Sequence, residues 1–387
     1  MSDERLQFTV SASRKEKSLA ALCRDFSISR QTGYTWLARY GEGGAGAVLF
    51  EKSRRPQRSP TQLSGEITAA VVTLRQRWPD WGARKLNKLL VGQRPELGPV
   101  GDSSIQRILS RHGLVREQDR HPAALLRFER AAPNELWQMD FKGPKGFAGG
   151  KGPLSVVDDH SRYVLALRHL ENGRVEAVQD CLRQTFESSG LPDAMLMDHG
   201  TPWWNANSPW GWTELTVGLM RQGIRIYLSG IRHPQTQGKV ERMHGVLHAA
   251  IRKRKADADQ QVWLDDFREE YNTLRPHEAL GMKTPACFWK PSPRAWQAEP
   301  SEWEYPASMK VMRLNGKGEI DWQKRRWTIS AALRGQLVGI DLVAERALVY
   351  FCKTPLRELD PSSADSAILR TNPLGARSQR QPEPHHP

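Results

Sequence analysis

Cysteine is scarce in this chain. The four thiols, Cys23, Cys181, Cys287 and Cys352, are scattered over 387 residues, with no C-x-x-C pair and no histidine beside them at zinc-ligand spacing. That pattern excludes a zinc ribbon and a disulfide framework, and the thiols are expected to be reduced and buried. No uninterrupted apolar run approaches the roughly 20 residues a membrane span needs, and Met1-Ser2-Asp3-Glu4-Arg5 holds no apolar core of signal-peptide type. Cytoplasmic residence without membrane association is the expectation. Acidic residues are in deficit: 43 Asp and Glu stand against 57 Lys and Arg, a formal net charge of +14, and the pI is near 9.8. This balance suits a polyanionic partner, because cations that neutralise phosphates release bound counterions. Charge alone leaves open a protein that is merely basic.

The hydrophobic content of 39% is enough for each of several domains to bury a core. Residues 18–40 read as helix, turn, helix, with Leu19, Leu22 and Phe26 on one face and Ser29 capping a second helix that holds Thr32, Tyr34, Trp36, Leu37 and Tyr40. Arg30, Gln31, Thr32 and Tyr34 lead that second helix and are types that reach base edges or phosphates in a major groove. A helical hairpin that binds no DNA fits the same pattern. Gly41-Glu42-Gly43-Gly44 and then Ser53-Arg54-Arg55-Pro56-Gln57-Arg58-Ser59-Pro60 read as linker, and Arg54, Arg55 and Arg58 there can track a backbone or form a solvated connector. From Glu66 to about His112 a second helical unit repeats apolar residues at Ile67, Val71 and Leu74, then Leu86, Leu89 and Leu90, then Ile105, Ile108 and Leu109. Its last helix, expected to be capped by Asp102 or Ser103, exposes Ser104, Gln106, Arg107 and Arg111, so a second, winged-helix-like helix-turn-helix and a purely structural bundle both fit.

Between Asn134 and Phe288 the pattern turns α/β. The run 136–141 alternates, and strands at 154–158 and 163–167 come next as a hairpin with Asp159-His160-Ser161-Arg162 at its turn. A helix over about 173–188, a strand ending at Asp198, a helix over about 213–222, a strand at 224–228 and a helix carrying Glu241 complete the order. Three initially antiparallel strands followed by α/β alternation are what a ribonuclease-H-like fold requires. After Pro291, short strands near 309–314, 319–322, 326–329 and 348–351 predict a small β-barrel, and the Pro-, Ser-, Arg- and His-rich stretch 361–387 predicts disorder.

This organisation would converge Asp140, Asp198 and Glu241 on one edge of a mixed sheet. Phosphodiester transfer needs an activated attacking oxygen, a stabilised leaving oxygen and neutralised non-bridging oxygens. Two Mg²⁺ ions held about 3.5–4 Å apart by carboxylates supply all three, and carboxylates are the right ligands for so hard a cation. Val240, Met243, Leu247 and Ile251 form the buried stripe of the Glu241 helix, with Glu241 one step off it and His244, Gly245 and His248 next along the same side, an edge that could face a phosphate backbone. Lys239, on the Gln- and Gly-rich approach that includes His233, is a further candidate DNA contact. Taken singly, an acid in a first helical turn is a dipole partner and Asp-x-Gly is a turn. Asp158 and Asp159 read as a solvated turn near enough to Asp140 to orient a ligand, and Arg275-Pro276-His277 as a helix terminator.

The segments LWQMDFKG, VVDDHSRYVLAL, MLMDHGTPW, HPQTQGKVERMHGVLHAAI and YNTLRPHEALGMKTPACFW together resemble the integrase core of DDE-type insertion-sequence transposases, relatives of the retroviral integrases. SRQTGYTWLARYGEGG and SRRPQRSP resemble the end-binding portion of the same family. The resemblance implies that Asp140, Asp198 and Glu241 are the catalytic, metal-binding triad for two Mg²⁺ ions, with Mn²⁺ able to substitute. It implies a nucleoid-associated transposase that binds terminal inverted repeats, cleaves the ends and transfers them into target DNA as a homo-oligomer, at least a dimer, in a synaptic complex. A non-catalytic DNA-binding or assembly protein is the alternative. The expected domains are helix-turn-helix (1–52), linker (53–62), second helix-turn-helix (63–120), catalytic core (134–291), small barrel (305–360) and tail (361–387). Two features depart from the family: His199 comes after the second acid where Asn is common, and the 43 positions from Asp198 to Glu241 exceed the retroviral spacing, the excess lying in a loop with Trp203, Trp204, Trp210 and Trp212. Those indoles can pack on the core or stack on bases of a flexed DNA end.

Overall fold

The computed structural model describes residues 2–15, 17–49, 63–115, 129–147, 150–170, 173–205, 208, 210–229, 237–251, 259–343 and 346–361. The chain forms two compact units, Met1–Gly65 and Glu66–Pro387. In the first, α1 (Ser2–Ser13), α2 (Leu19–Asp25) and α3 (Arg30–Leu49) close around Phe8, Leu22 and Cys23. Phe8 meets Phe26 and Trp36 edge-on at 5.5 and 5.6 Å. Gly33 is required there, since a Cβ would lie 2.9 Å from both Cys23 Sγ and the Phe8 ring. As expected, the backbone N–H of Thr32 donates to Ser29 Oγ at 3.1 Å, which fixes the start of α3. The linker expected at residues 41–44 is instead the kinked middle of α3, where Gly43 and Gly44 leave helical geometry and the helix resumes. Arg54, Arg55, Arg58 and His233 lie outside the described residues.

The second unit opens within α4 (Gly65–Arg77) and continues with α5 (Ala83–Gln93) and α6 (Asp102–Arg111), on which Val71, Leu86, Leu90 and Ile105 are buried. Trp78 stacks on Trp81 at 5.1 Å. The cap of α6 is Gly101 and not Asp102 or Ser103, because Asp102 is the first helical residue and its carboxylate accepts from Asn87 Nδ2 at 2.6 Å.

The α/β region has the expected order, β1 (Trp137–Phe141), β2 (Leu154–Asp158), β3 (Val164–Arg168), α7 (Val175–Ser189), β4 (Ala194–Met197), α8 (Glu214–Arg221), β5 (Arg225–Leu228) and α9 (Gly238–Ile251), and then adds a helix which that order did not include, α10 (Gln260–Glu269). The strands pair as β3-β2-β1-β4-β5, antiparallel through β1 and parallel from β1 to β5. The two-residue period of β1 divides its side chains between the two faces of the sheet. Trp137 and Met139 point into the core with Phe186 of α7, Trp137 stacking on its ring at 6.0 Å. Gln138 and Asp140 point to the other face, where α9 and α10 pack Val240, Met243, Leu247 and Leu264 against Val157, Val164 and Leu167.

The expected β-barrel is not closed. Strands β6 (Lys310–Arg313), β9 (Leu337–Val343), β10 (Arg346–Phe351) and β11 (Thr354–Leu359) make an open sheet of order β11-β10-β9-β6, and β7 (Glu319–Trp322) with β8 (Arg325–Thr328) makes a separate hairpin. Their apolar side chains, Ile320, Trp327, Val338, Ile340, Phe351 and Leu356 among them, join one core with Trp203, Trp204 and Trp212. An apolar face spent on the α/β layer leaves no barrel interior to fill. Three cysteines are buried as expected, but Cys287 is exposed, at the end of a short 3₁₀ turn (Pro285–Cys287). No helix among the described residues is long and apolar enough to cross a membrane.

Candidate active site

Asp140 sits near the end of β1, opposite Ser155 of β2. Asp198 comes directly after the last residue of β4, the strand parallel to β1, so both carboxylates lie at the carboxyl ends of adjacent strands. Glu241 is in the first turn of α9, on the face of the sheet to which Asp140 points. Burial pushes the Asp140 carboxyl up to about 7, helped by the negative charge of Asp198 and, more weakly, of Glu241, while the Phe141 backbone N–H and the Lys142 charge pull the other way. Burial also raises Glu241. Asp140 thus feels the charge of both other acids, that of Asp198 more than that of Glu241.

Each acid is held by identifiable neighbours. Asp198 Oδ1 accepts from the Gly200 backbone N–H at 2.8 Å and from Trp203 Nε1 at 2.7 Å, an Asp-x-Gly turn locked by an indole. Trp203 in turn stacks on Phe141 at 5.4 Å, which ties the Asp198 turn to β1. Lys151 Nζ donates to Thr201 O and Oγ1 at 2.6 and 2.8 Å and lies over the Phe141 ring, so a cation flanks the same turn. His199 packs edge-on against Trp204. The Trp-rich loop is thus core, with Trp203, Trp204 and Trp212 all buried.

The first turn of α9 is anchored from below. Gln138 Oε1 accepts from the Val240 backbone N–H at 3.3 Å, and Gln138 Nε2 donates to Asp159 Oδ1 at 2.8 Å. Lys239 Nζ, expected at a DNA contact, pairs with the same Asp159 oxygen at 2.7 Å. His244 departs from expectation: it is buried, with Nε2 2.9 Å from Ser155 Oγ and Nδ1 3.8 Å from Asp140 Oδ2. Burial first, and the Lys142 charge second, push its imidazole down to about 3, so it is neutral beside Asp140. His248 remains half-buried on α9.

Asp158 and Asp159 are not a solvated turn. Both are fully buried. Asp158 Oδ1 accepts from the backbone N–H and hydroxyl of Ser161 at 2.7 and 2.6 Å, and its Oδ2 accepts from the Asn134 N–H at 2.8 Å. Arg275 ends the helical turn Glu270–Leu274, as expected of a terminator, and pairs with Asp80 at 3.1 Å.

Of the expected DNA contacts, Arg30, Gln31 and Tyr34 are exposed on α3, while Thr32 is half-buried and in contact with Ser29. On α6, Gln106 and Arg107 are exposed, and Arg107 donates to Ser104 Oγ at 3.1 Å. Sequence reasoning missed Trp203, Gln138 and Ser155 as partners of the site. The alternation of β1 carried a signal for Gln138, which shares a face with Asp140, whereas the indole of Trp203 reaches Asp198 only because the loop folds back.

Three carboxylates are a hard-oxygen donor set, which matches Mg²⁺ chemically because that ion keeps several waters and takes few protein ligands. Among the described residues no three His, Cys, Asp or Glu side chains stand close enough to form a ready cage, so the acids fit by kind and neighbourhood but are not preassembled.

Two models described as integrase core domain match residues 130–234 and 222–285, and one described as homeodomain-like domain matches 32–109. An uncharacterized 39.2 kDa protein of insertion element IS476 from Xanthomonas euvesicatoria is 27% identical over 240 residues, covering 59% of this chain and 66% of its own length. A chain of a simian T-cell lymphotropic virus intasome, solved with PP2A regulatory subunit B56 gamma, aligns with TM-score 0.37 at 18% identity, covering 75% of this chain and 99% of its own. The HTLV-2 integrase catalytic core domain, solved with magnesium, aligns with TM-score 0.33 at 16% identity over 41% of this chain and 97% of its own.

Proposed function

We propose that this chain, an insertion-sequence transposase relative with an integrase-type core and a helix-turn-helix region, binds the terminal inverted repeats of its element and catalyses divalent-metal-dependent end cleavage and strand transfer. What supports the reading is placement: Asp140 and Asp198 end adjacent parallel strands, Glu241 lies in the first turn of α9 on the face to which Asp140 points, and burial together with the Asp198 charge pushes Asp140 up to about 7. A buried carboxyl raised further by a like charge marks a functional cluster more often than a structural one.

Asp140, Asp198 and Glu241 would hold Mg²⁺, which supplies charge neutralisation at the phosphate and activation of the attacking and leaving oxygens. The chain's own groups prepare that chemistry. Gly200 N–H and Trp203 Nε1 occupy one Asp198 oxygen and so aim the other. Neutral His244 packs beside Asp140 without adding a competing positive charge. Arg30, Gln31 and Tyr34 on α3, and Gln106 and Arg107 on α6, are the side chains offered for reading DNA. Two element ends must be brought together and each chain has one such site, so the working form is a homo-oligomer on DNA.

One observation favours the alternative of a non-catalytic assembly protein: the acids form no ready cage. Incubating the protein with labelled element ends and Mg²⁺, alongside Asp198→Asn, decides between them. Nicked and strand-transfer products from the wild type that vanish in the variant support the proposal. End binding without nicking by the wild type supports the alternative.

A further inference from the structure

We infer that Asp159 is a positioning residue that sets Asp140 and Glu241 relative to each other, and so governs how tightly the site grips a divalent cation. The inference rests on the proposed function above. Asp159 is fully buried, and a buried carboxylate is costly unless well matched by donors. Its Oδ1 accepts from Gln138 Nε2 at 2.8 Å and pairs with Lys239 Nζ at 2.7 Å, and its Oδ2 accepts from the Arg130 backbone N–H at 2.8 Å. Its own N–H donates to Leu136 O at 2.9 Å, which fastens it to the residue before β1.

The placement of its partners is what separates this carboxylate from an ordinary buried acid. Gln138 stands two residues before Asp140 on the same face of β1, and Lys239 stands two residues before Glu241 at the start of α9. Gln138 also closes the triangle by accepting from the Val240 N–H, one of the helix-start donors that has no partner within its own helix. Strand and helix are therefore referenced to a single carboxylate, and α9 cannot slide or roll on the sheet without breaking a charged contact. One turn further on, His244 and Ser155 add a second tether between α9 and β2. Ligands on separate elements need such bracing, because displacements near 1 Å are enough to cost about 100-fold in a catalytic constellation.

The test uses the full chain as wild type, Asp159→Asn, the double variant Asp159→Asn/Lys239→Gln, and Gln138→Met. Mn²⁺ binding is monitored by electron paramagnetic resonance, beside thermal denaturation and Mg²⁺-dependent cleavage of element ends. Asp159→Asn is expected to melt early, because Lys239 loses its carboxylate. The double variant removes both charges and regains the wild-type melting temperature, yet binds Mn²⁺ about 10-fold more weakly and needs correspondingly more Mg²⁺ for half-maximal cleavage. Gln138→Met, which leaves the Asp159–Lys239 pair in place, moves metal affinity in the same direction. Wild-type Mn²⁺ affinity in both the double variant and Gln138→Met overturns the inference and leaves Asp159 a stabiliser of the fold. A wild type that binds no Mn²⁺ overturns the proposed function itself, and the inference with it.

Discussion

Two pairs of acids lie within a few residues of each other across the central sheet, and they are treated in opposite ways. Asp158 and Asp159 are fully buried, yet each is surrounded by N–H, O–H or ammonium donors. Asp140 and Asp198 are less buried, yet Asp140 faces other carboxylates and a neutral imidazole. Burial raises both Asp158 and Asp140, but donors from Ser161 and Asn134 pull Asp158 back, while the Asp198 charge adds to the rise at Asp140. Depth of burial alone thus does not set how far each carboxyl is raised. What separates them is whether the neighbours are donors, as around Asp158 and Asp159, or include a like charge that adds to the rise, as at Asp140.

The largest expected effect is on activity without stability. Asp198→Asn and Glu241→Gln should each lower end cleavage at least ~100-fold, several kcal/mol of lost transition-state stabilisation, with melting temperatures no lower than wild type; equal cleavage by wild type and variants would erase the contrast. The reverse is expected of the scaffold pair. Asp158→Ala leaves the Ser161 and Asn134 N–H groups without their acceptor and should cost about 2–5 kcal/mol in urea unfolding, with the Mg²⁺ requirement of the folded fraction unchanged.

An intermediate case sharpens the comparison. Trp203→Phe keeps the stack on Phe141 but removes the indole N–H from Asp198, and about a 10-fold rise in the Mg²⁺ needed for cleavage is expected. A variant that matches wild type in its metal titration would show that Gly200 alone aims the carboxylate. A last effect is a pH dependence. Because the Asp140 carboxyl is raised from its ordinary value to about 7 in the fold, the metal-free native state holds a proton that the unfolded chain has released. Stability from this group is complete below about pH 4 and is lost as pH rises through about 7. Asp140→Asn should therefore melt progressively higher than wild type as pH rises from about 4 to about 7 without metal, and by a steady margin above that; a difference that does not change between about pH 4 and 7 would remove Asp140 from the account.

Much of the core is legible in the sequence because strands and helices announce themselves by period. The alternation at 136–141, the hairpin at 154–167 and the stripe of Val240, Met243 and Leu247 appear in the structure within a residue or two. The open sheet after Pro291 reads as a barrel because β9 and β11 escape recognition, and because a run of short strands does not reveal whether its apolar face closes on itself or on a neighbour. Lys239 and His244 fall on an expected DNA-facing edge for a related reason: helical spacing gives direction around an axis but not what stands there.

The order of side chains along the polymer determined by itself the basic charge, the element order and the faces on which Gln138 and Asp140, or Met243 and Leu247, must lie, since these derive from local geometry of period 2 or 3.6. Only the tertiary structure decided which acids find donors. Asp159 meets Lys239, and Asp198 meets Trp203, through contacts between separate elements or across a folded loop. Electrostatic compensation depends on distances across packed layers, and no local pattern in a sequence encodes those distances.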